Sequence, residues 1–198
     1  MAVAQTFKAV SPTLFSWQAY EPAVKCDLSS CAIATAEGLL FVDPIELAEP
    51  AMTELTAANT PLAIFLTNGN HTRAALWFQD RFGVKVFSAA GAAGLEIIPD
   101  ATLEDGDVAP GGMRVVTLPG GGPGEMALVG DGIACVGDAL IQLEPEGFRM
   151  LPSKYCSDAR LLADSLRKLL SYEFDVLTFA HGSPLVGHAR RRLELLLA

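Results

Sequence analysis

Few side chains in this sequence are placed to do chemistry, and most of those sit at the ends of apolar runs. The stretch LTNGNHTRAAL, residues 66–76, continues the apolar run PLAIFL and opens a helix-like segment that Gly83 ends. A strand turning straight into a helix leaves polar side chains and free backbone N–H groups together at one rim of a sheet, where binding and catalysis concentrate. Asp43 stands at the tip of LLFVD, Asp138 ends GIACVGD, and His181 follows LTFA. A carboxylate so placed can act as a base, hold a cation or pair locally. An imidazole there can ligate a metal, move a proton or sit hydrogen-bonded.

Other polar motifs carry less. GGGPG, residues 120–124, could cradle a phosphate on its N–H groups, but it lacks the lysine and spacing of a P-loop and is expected to be a flexible turn. Ser183 beside His181 has neither a nucleophile elbow nor a third triad member. Cys26, Cys31, Cys135 and Cys156 show no CxxC spacing, so free thiols are the default; a Cys26–Cys31 pair stays open if the two flank a tight hairpin. His188 and the run Arg190, Arg191, Arg192 read as surface positions on a terminal helix.

Those tips need elements behind them. TLFSWQAY (13–20) predicts a short edge strand before a turn at Glu21-Pro22. SSCAIATAEGLLFVDP (29–44) predicts two strands joined through Glu37-Gly38, a hairpin signal, with Pro44 ending the second. Residues 45–58 are loosely helical, interrupted at Pro50. PLAIFLT is apolar throughout, as in a strand buried on both faces. Residues 72–82 put Ala74, Ala75, Phe78 and Phe82 on one helical face, and VKVFS follows as a strand. AAGAAGLEIIPDATLEDGD reads as connection, and MRVVTLP, EMALV and GIACVGDALI as three more strands. Ser157, with Asp158 behind it, is the expected N-cap of a leucine-faced helix. FDVLTFAHG predicts the last buried strand and VGHARRRLELLLA a closing helix. Hairpins followed by helix-separated strands predict one layered α/β domain over residues 1–198.

Composition bounds the partners. With 51% hydrophobic and 19% charged residues the chain can build a packed core and is too apolar for disorder. A net charge of −9 argues against nucleic acid and anionic membrane surfaces. No run approaches the roughly eighteen apolar residues of a membrane span, and MAVAQTFKAVSP lacks the pattern of a signal peptide, so a cytoplasmic location is expected. The terminal LELLLA needs cover, either from a sheet face or from a homodimer partner.

Four stretches in order, LLFVDP, LTNGNHTRAALWFQDRFGVKVFS, VVTLPGGGPGEMALVGDGIACVGDAL and LTFAHGSP, resemble the metallo-β-lactamase fold superfamily. The family pattern is a strand ending in Asp, then Thr-His-x-His-x-Asp-His, a Pro-Gly-His-x-x-Gly turn, a strand ending in Gly-Asp, and a late strand ending in His-Gly. The resemblance implies a four-layer αββα sandwich with its site at one edge of two facing sheets. It also exposes departures. Asn68 and Asn70 stand where histidines bind the first metal, Thr72 and Arg73 where Asp and His bind the second, and Gly121 where the turn has its histidine. Of these ligand positions only Asp138 and His181 keep the family residue.

Amides bind zinc far more weakly than imidazoles, and a guanidinium has no lone pair to offer. The dinuclear centre is therefore expected to be absent, and no cofactor is expected. The expectation is a small-molecule, anionic ligand held in the ancestral cleft by Asn68, Asn70, His71, Arg73, Asp138 and His181, with Arg73 paired to Asp138 in place of a metal. His71, lying between ligand positions of the motif, is expected to point away from the centre. The alternative keeps an enzyme: a hydrolase of an ester, thioester or amide with one divalent, zinc-like ion on His71, Asp138 and His181, where Asp138 and His181 are the catalytic candidates. A third reading is an inactive interaction or structural protein.

Overall fold

A computed structural model describes residues 3–198. The first half runs β1 (Val3–Ala4), β2 (Lys8–Ala9), β3 (Leu14–Glu21), β4 (Cys26–Ala34), β5 (Leu39–Val42), β6 (Glu46–Leu47), α1 (Glu49–Ala57), β7 (Pro61–Leu66), α2 (Ala75–Phe82), β8 (Lys85–Ala89) and β9 (Ala101–Leu103). The second half runs β10 (Arg114–Thr117), β11 (Met126–Gly130), β12 (Gly132–Val136), β13 (Leu140–Leu143), β14 (Gly147–Met150), α3 (Ala159–Leu166), β15 (Phe174–Thr178), β16 (Leu185–Val186) and α4 (Ala189–Leu196).

Two mixed sheets carry the fold. One has the order β2-β3-β4-β5-β7-β8-β9, antiparallel to β5 and parallel beyond it. The other has the order β10-β11-β12-β15-β16, with β12 and β15 parallel. The two-residue side-chain period of a strand then sorts the core into layers. Leu40 and Val42 of β5 face the second sheet, meeting Met126, Leu128 and Cys135. Phe41, between them, faces the other way, packing with Met52 and Leu55 of α1 and Phe78 of α2. On the far side Val129, Ala134 and Val136 pack under Leu162 and Leu166 of α3 and Leu193 of α4. Helix, sheet, sheet, helix is the αββα sandwich that the resemblance implied.

The differences from expectation are local. Two residues of β2 outflank β3, so β3 is not the edge strand. Pro50 lies in the first turn of α1 and so starts that helix instead of interrupting it, as its missing N–H permits. The helix after LTNGNHTR begins at Ala75, and a short strand, β9, forms within the stretch read as connection. GIACVGDALI divides at Gly137-Asp138 into β12 and β13, and Asp158, not Ser157, caps α3 by accepting from the Arg160 and Leu161 N–H groups. Leu193 and Leu197 of the C-terminal run pack on the outer face of the second sheet. Among the described residues no helix is long and apolar enough to cross a membrane.

Candidate functional site

The carboxyl-terminal ends of β5, β7, β12 and β15 meet at one rim of the sandwich, and the polar tips meet there too. Asp43, one residue past β5, takes a left-handed conformation (φ 46°) that turns its carboxylate inward, where it is 2% exposed. Its Oδ1 accepts the Thr67 N–H at 2.8 Å, and its Oδ2 accepts the Thr67 hydroxyl at 2.5 Å and faces His71 Nδ1 at 2.9 Å. Burial pushes this carboxyl up, yet the His71 and Arg73 charges and the Thr67 hydroxyl together hold it below its ordinary value.

His71 is the largest departure from expectation. It does not point away: it is 3% exposed and turned into the site, its Nδ1 on Asp43 and Thr67 and its Nε2 3.3 Å from Asp138 Oδ1. The reason is local. The chain between Leu66 and Ala75 is an irregular turn, with the His71 N–H on the Asn68 carbonyl, so alternate positions need not face opposite ways. Burial pulls the imidazolium down, but Asp43 and then Asp138 outweigh it and raise the group to about 9.

Asp138 Oδ1 lies 3.3 Å from Nε2 of both His71 and His181. This oxygen is buried, and its geometry makes a hydrogen bond with neither ring. The other oxygen, Oδ2, accepts from Asn68 Nδ2 at 3.3 Å. Burial raises the carboxyl, and the two imidazoles more than reverse it, leaving it well below the ordinary range. His181 turns Nδ1 toward the Asp27 carbonyl at 3.0 Å, with Cys26 Sγ at 3.5 Å. Gly182 holds φ 106°, and a Cβ there would collide with the Gln142 carbonyl; only glycine fits behind this histidine.

Arg73 does not pair with Asp138. Its guanidinium donates to the carbonyls of Ser29 (2.7 Å), Asp43 (3.0 Å) and Ala180 (3.2 Å), so its donors bracket backbone from both sheets. Burial holds its guanidinium below the ordinary value, and Asp43 and Asp138 offset that cost only in part. Thr72 also serves the scaffold: its Oγ1 accepts the Glu96 N–H and fixes the loop before β9. Asn70 is exposed at the mouth, its N–H on Asn68 Oδ1. Cys31 faces Cys135 across the sheets at 3.7 Å, and Cys26 and Cys31 are unpaired.

Sequence reasoning missed Glu125. It is 2% exposed beneath Asp138, with Oε1 accepting the Ala139 N–H at 3.1 Å and Oε2 accepting Asn68 Nδ2 at 2.9 Å. Burial, and then the Asp138 charge, push it up to about 7. The available signal was a lone carboxylate joining a glycine-rich turn to a fully apolar strand.

His71 Nε2, Asp138 Oδ1 and His181 Nε2 fit a divalent ion on three grounds. Together with a carboxylate oxygen, two imidazole nitrogens form a borderline-soft donor set suited to zinc. The donor atoms lie within 4.8 Å of one another. Each ring is held at Nδ1 by an oxygen acceptor, which orients Nε2 as the partners of metal-bound histidines do. The orphaned Asp138 Oδ1 is the atom left to be satisfied.

A family model described as the metallo-beta-lactamase superfamily matches residues 7–196. Among solved structures, a metallo-beta-lactamase from Pontibacter korlensis is similar at 16% identity and a TM-score of 0.74, covering 96% of this chain and 97% of that one. The DIM-1 metallo-beta-lactamase is similar at 13% identity and 0.76, covering 100% and 98%. A beta-lactamase domain protein from Burkholderia ambifaria is similar at 18% identity and 0.71, covering 99% and 76%. No curated protein matches the sequence.

Proposed function

This chain belongs to the metallo-beta-lactamase superfamily, and on that premise we propose that its rim is a hydrolytic site holding one divalent ion, zinc, on His71 Nε2, Asp138 Oδ1 and His181 Nε2. The observation that carries the reading is the buried Asp138 Oδ1, without a hydrogen bond and equidistant from two imidazole nitrogens. Three protein donors leave a position open, which separates catalytic from structural zinc sites. The ion, when bound, supplies a lowered pKa for a water and polarisation of an acyl carbonyl.

The chain's own residues do the rest. Asp43 holds the His71 ring by Nδ1, and the Asp27 carbonyl holds His181. Asn70, exposed in the turn after β7 with its side chain uncommitted to any hydrogen bond among the described residues, would be the donor to a developing oxyanion; Arg73, engaged on three carbonyls, would not. The substrate class is a small ester, thioester or amide.

A second reading rests on the place of His71 between two carboxylates, Asp43 at 2.9 Å and Asp138 at 3.3 Å, which favour its charged form. In a metal-free protein this imidazolium, between Asp43 and Asp138, supplies the positive charge itself, and the cleft binds a small anion at His71, His181 and Asn70, since Arg73 and Asn68 are already engaged on the protein's own groups. Metal analysis of protein purified without added zinc, followed by zinc titration, separates the two. One ion per chain, lost in His181→Ala, supports the hydrolytic reading. No uptake of zinc, with stabilisation by small anions, overturns it in favour of the second.

A further inference from the structure

Behind Asp138 lies a carboxyl that the proposed chemistry does not use. Three glycines make room for Glu125: a Cβ at Gly121 would lie 3.1 Å from its Cγ, one at Gly122 3.1 Å from Oε2, and one at Gly137 2.6 Å from Oε1. A side chain at position 121 would therefore enter ground that Glu125 occupies. The carboxyl is fixed at both ends, by the Ala139 N–H on Oε1 and by Asn68 on Oε2.

Asn68 is fixed just as fully. Its Oδ1 accepts the Asn70 N–H, and its Nδ2 donates to Glu125 Oε2 and Asp138 Oδ2. The orientation of the amide is thus set by its partners: reversed, it would set Nδ2 against the Asn70 N–H and Oδ1 against two carboxylates.

Building on the single-ion reading, we propose that Glu125 and Asn68 are a positioning pair for Asp138. Glu125 locks the amide, the amide ties down Asp138 Oδ2, and Oδ1 is left facing the two imidazoles. Neither residue touches the ion; both act through the carboxylate that does.

Glu125→Gln tests the pair at nearly constant volume. A glutamine has one acceptor atom where two are needed, so either the Ala139 N–H or Asn68 Nδ2 meets an N–H group, and the amide loses its lock. Zinc binding is measured by competition with a chromophoric chelator. We expect it to weaken about 10-fold, the low end of the effect of removing a ligand's own orienting partner, because Glu125 acts one hydrogen bond further out through Asn68. Unchanged affinity overturns the pair. In metal-free protein, NMR should show the Nε2 resonances of His71 and His181 displaced in Glu125→Gln, which a loss of stability alone would not produce; unmoved resonances overturn the proposal.

Asn68→Ala cuts the same link while Glu125 keeps Ala139, and serves if the first variant folds poorly. In that background Glu125→Gln should add nothing to the loss of zinc affinity; full additivity means the two act independently and overturns the pair. If the wild-type chain takes up no zinc, the single-ion reading falls, and the metal-free resonances alone decide this inference.

Discussion

Arg73 shows how much a single side chain can hold in this molecule. Its planar fork reaches three carbonyls that belong to separate segments, Ser29 in β4, Asp43 after β5 and Ala180 after β15. A lysine keeps the charge but cannot present that fork. Arg73→Lys should therefore lose about 2–3 kcal/mol in urea unfolding, because charge-assisted hydrogen bonds across the seam are lost. They are lost even though the Ala180 carbonyl keeps the Ser29 N–H and the Asp43 carbonyl keeps the Ser30 hydroxyl; an unchanged midpoint would show that water replaces the bracket. His71 sets a second expectation at this scale. Its folded value of about 9 lies above the 6.5 of an ordinary imidazole. In chelator-treated protein its contribution to stability is fully present below pH 6.5 and is lost as pH rises through about 9. The amount is on the order of 3 kcal/mol. His71→Gln should flatten that loss, while zinc affinity in the parent should rise over the same range as the proton becomes easier to displace.

The elements that carry the site end where glycine or a left-handed residue permits a turn. β15 leads to Ala180, His181 and Gly182, and the last is closed to any other residue by its φ of 106° and by the Gln142 carbonyl. Gly182→Ala should lower stability by at least about 2 kcal/mol and displace His181; a melting curve and a zinc titration read the two effects separately, and normal zinc affinity would contradict the constraint. These strand tips were legible in the sequence because an apolar run that stops at Asp or at His-Gly marks its own end. Asp43, Asp138 and His181 were found in that way. The inward turn of His71 was not legible, since alternation holds only in regular structure and residues 67–74 form an irregular turn. Glu125 escaped for a different reason: a lone carboxylate between a glycine-rich turn and an apolar strand marks the position, but its role depends on three glycines from two separate loops that meet only in space.

At the scale of the whole molecule, the layering followed from side-chain alternation in β5, β7, β11 and β12, whose inward and outward residues divide into the inter-sheet and sheet–helix cores. The placing of two sheets so that their tips share one rim is a long-range fact that only the resemblance anticipated, and the parallel pairing of β12 with β15 was not anticipated at all. The proposed donors come from both sheets, His71 from the turn after β7 and Asp138 and His181 from the ends of β12 and β15. In such a design an ion would ordinarily double as the rivet between halves, and its departure would let the seam gape. Here the guanidinium already closes that seam with covalently anchored, non-exchangeable charge. On the single-ion reading, the chain is thus expected to stay folded whether or not the ion is bound, since the seam does not depend on it.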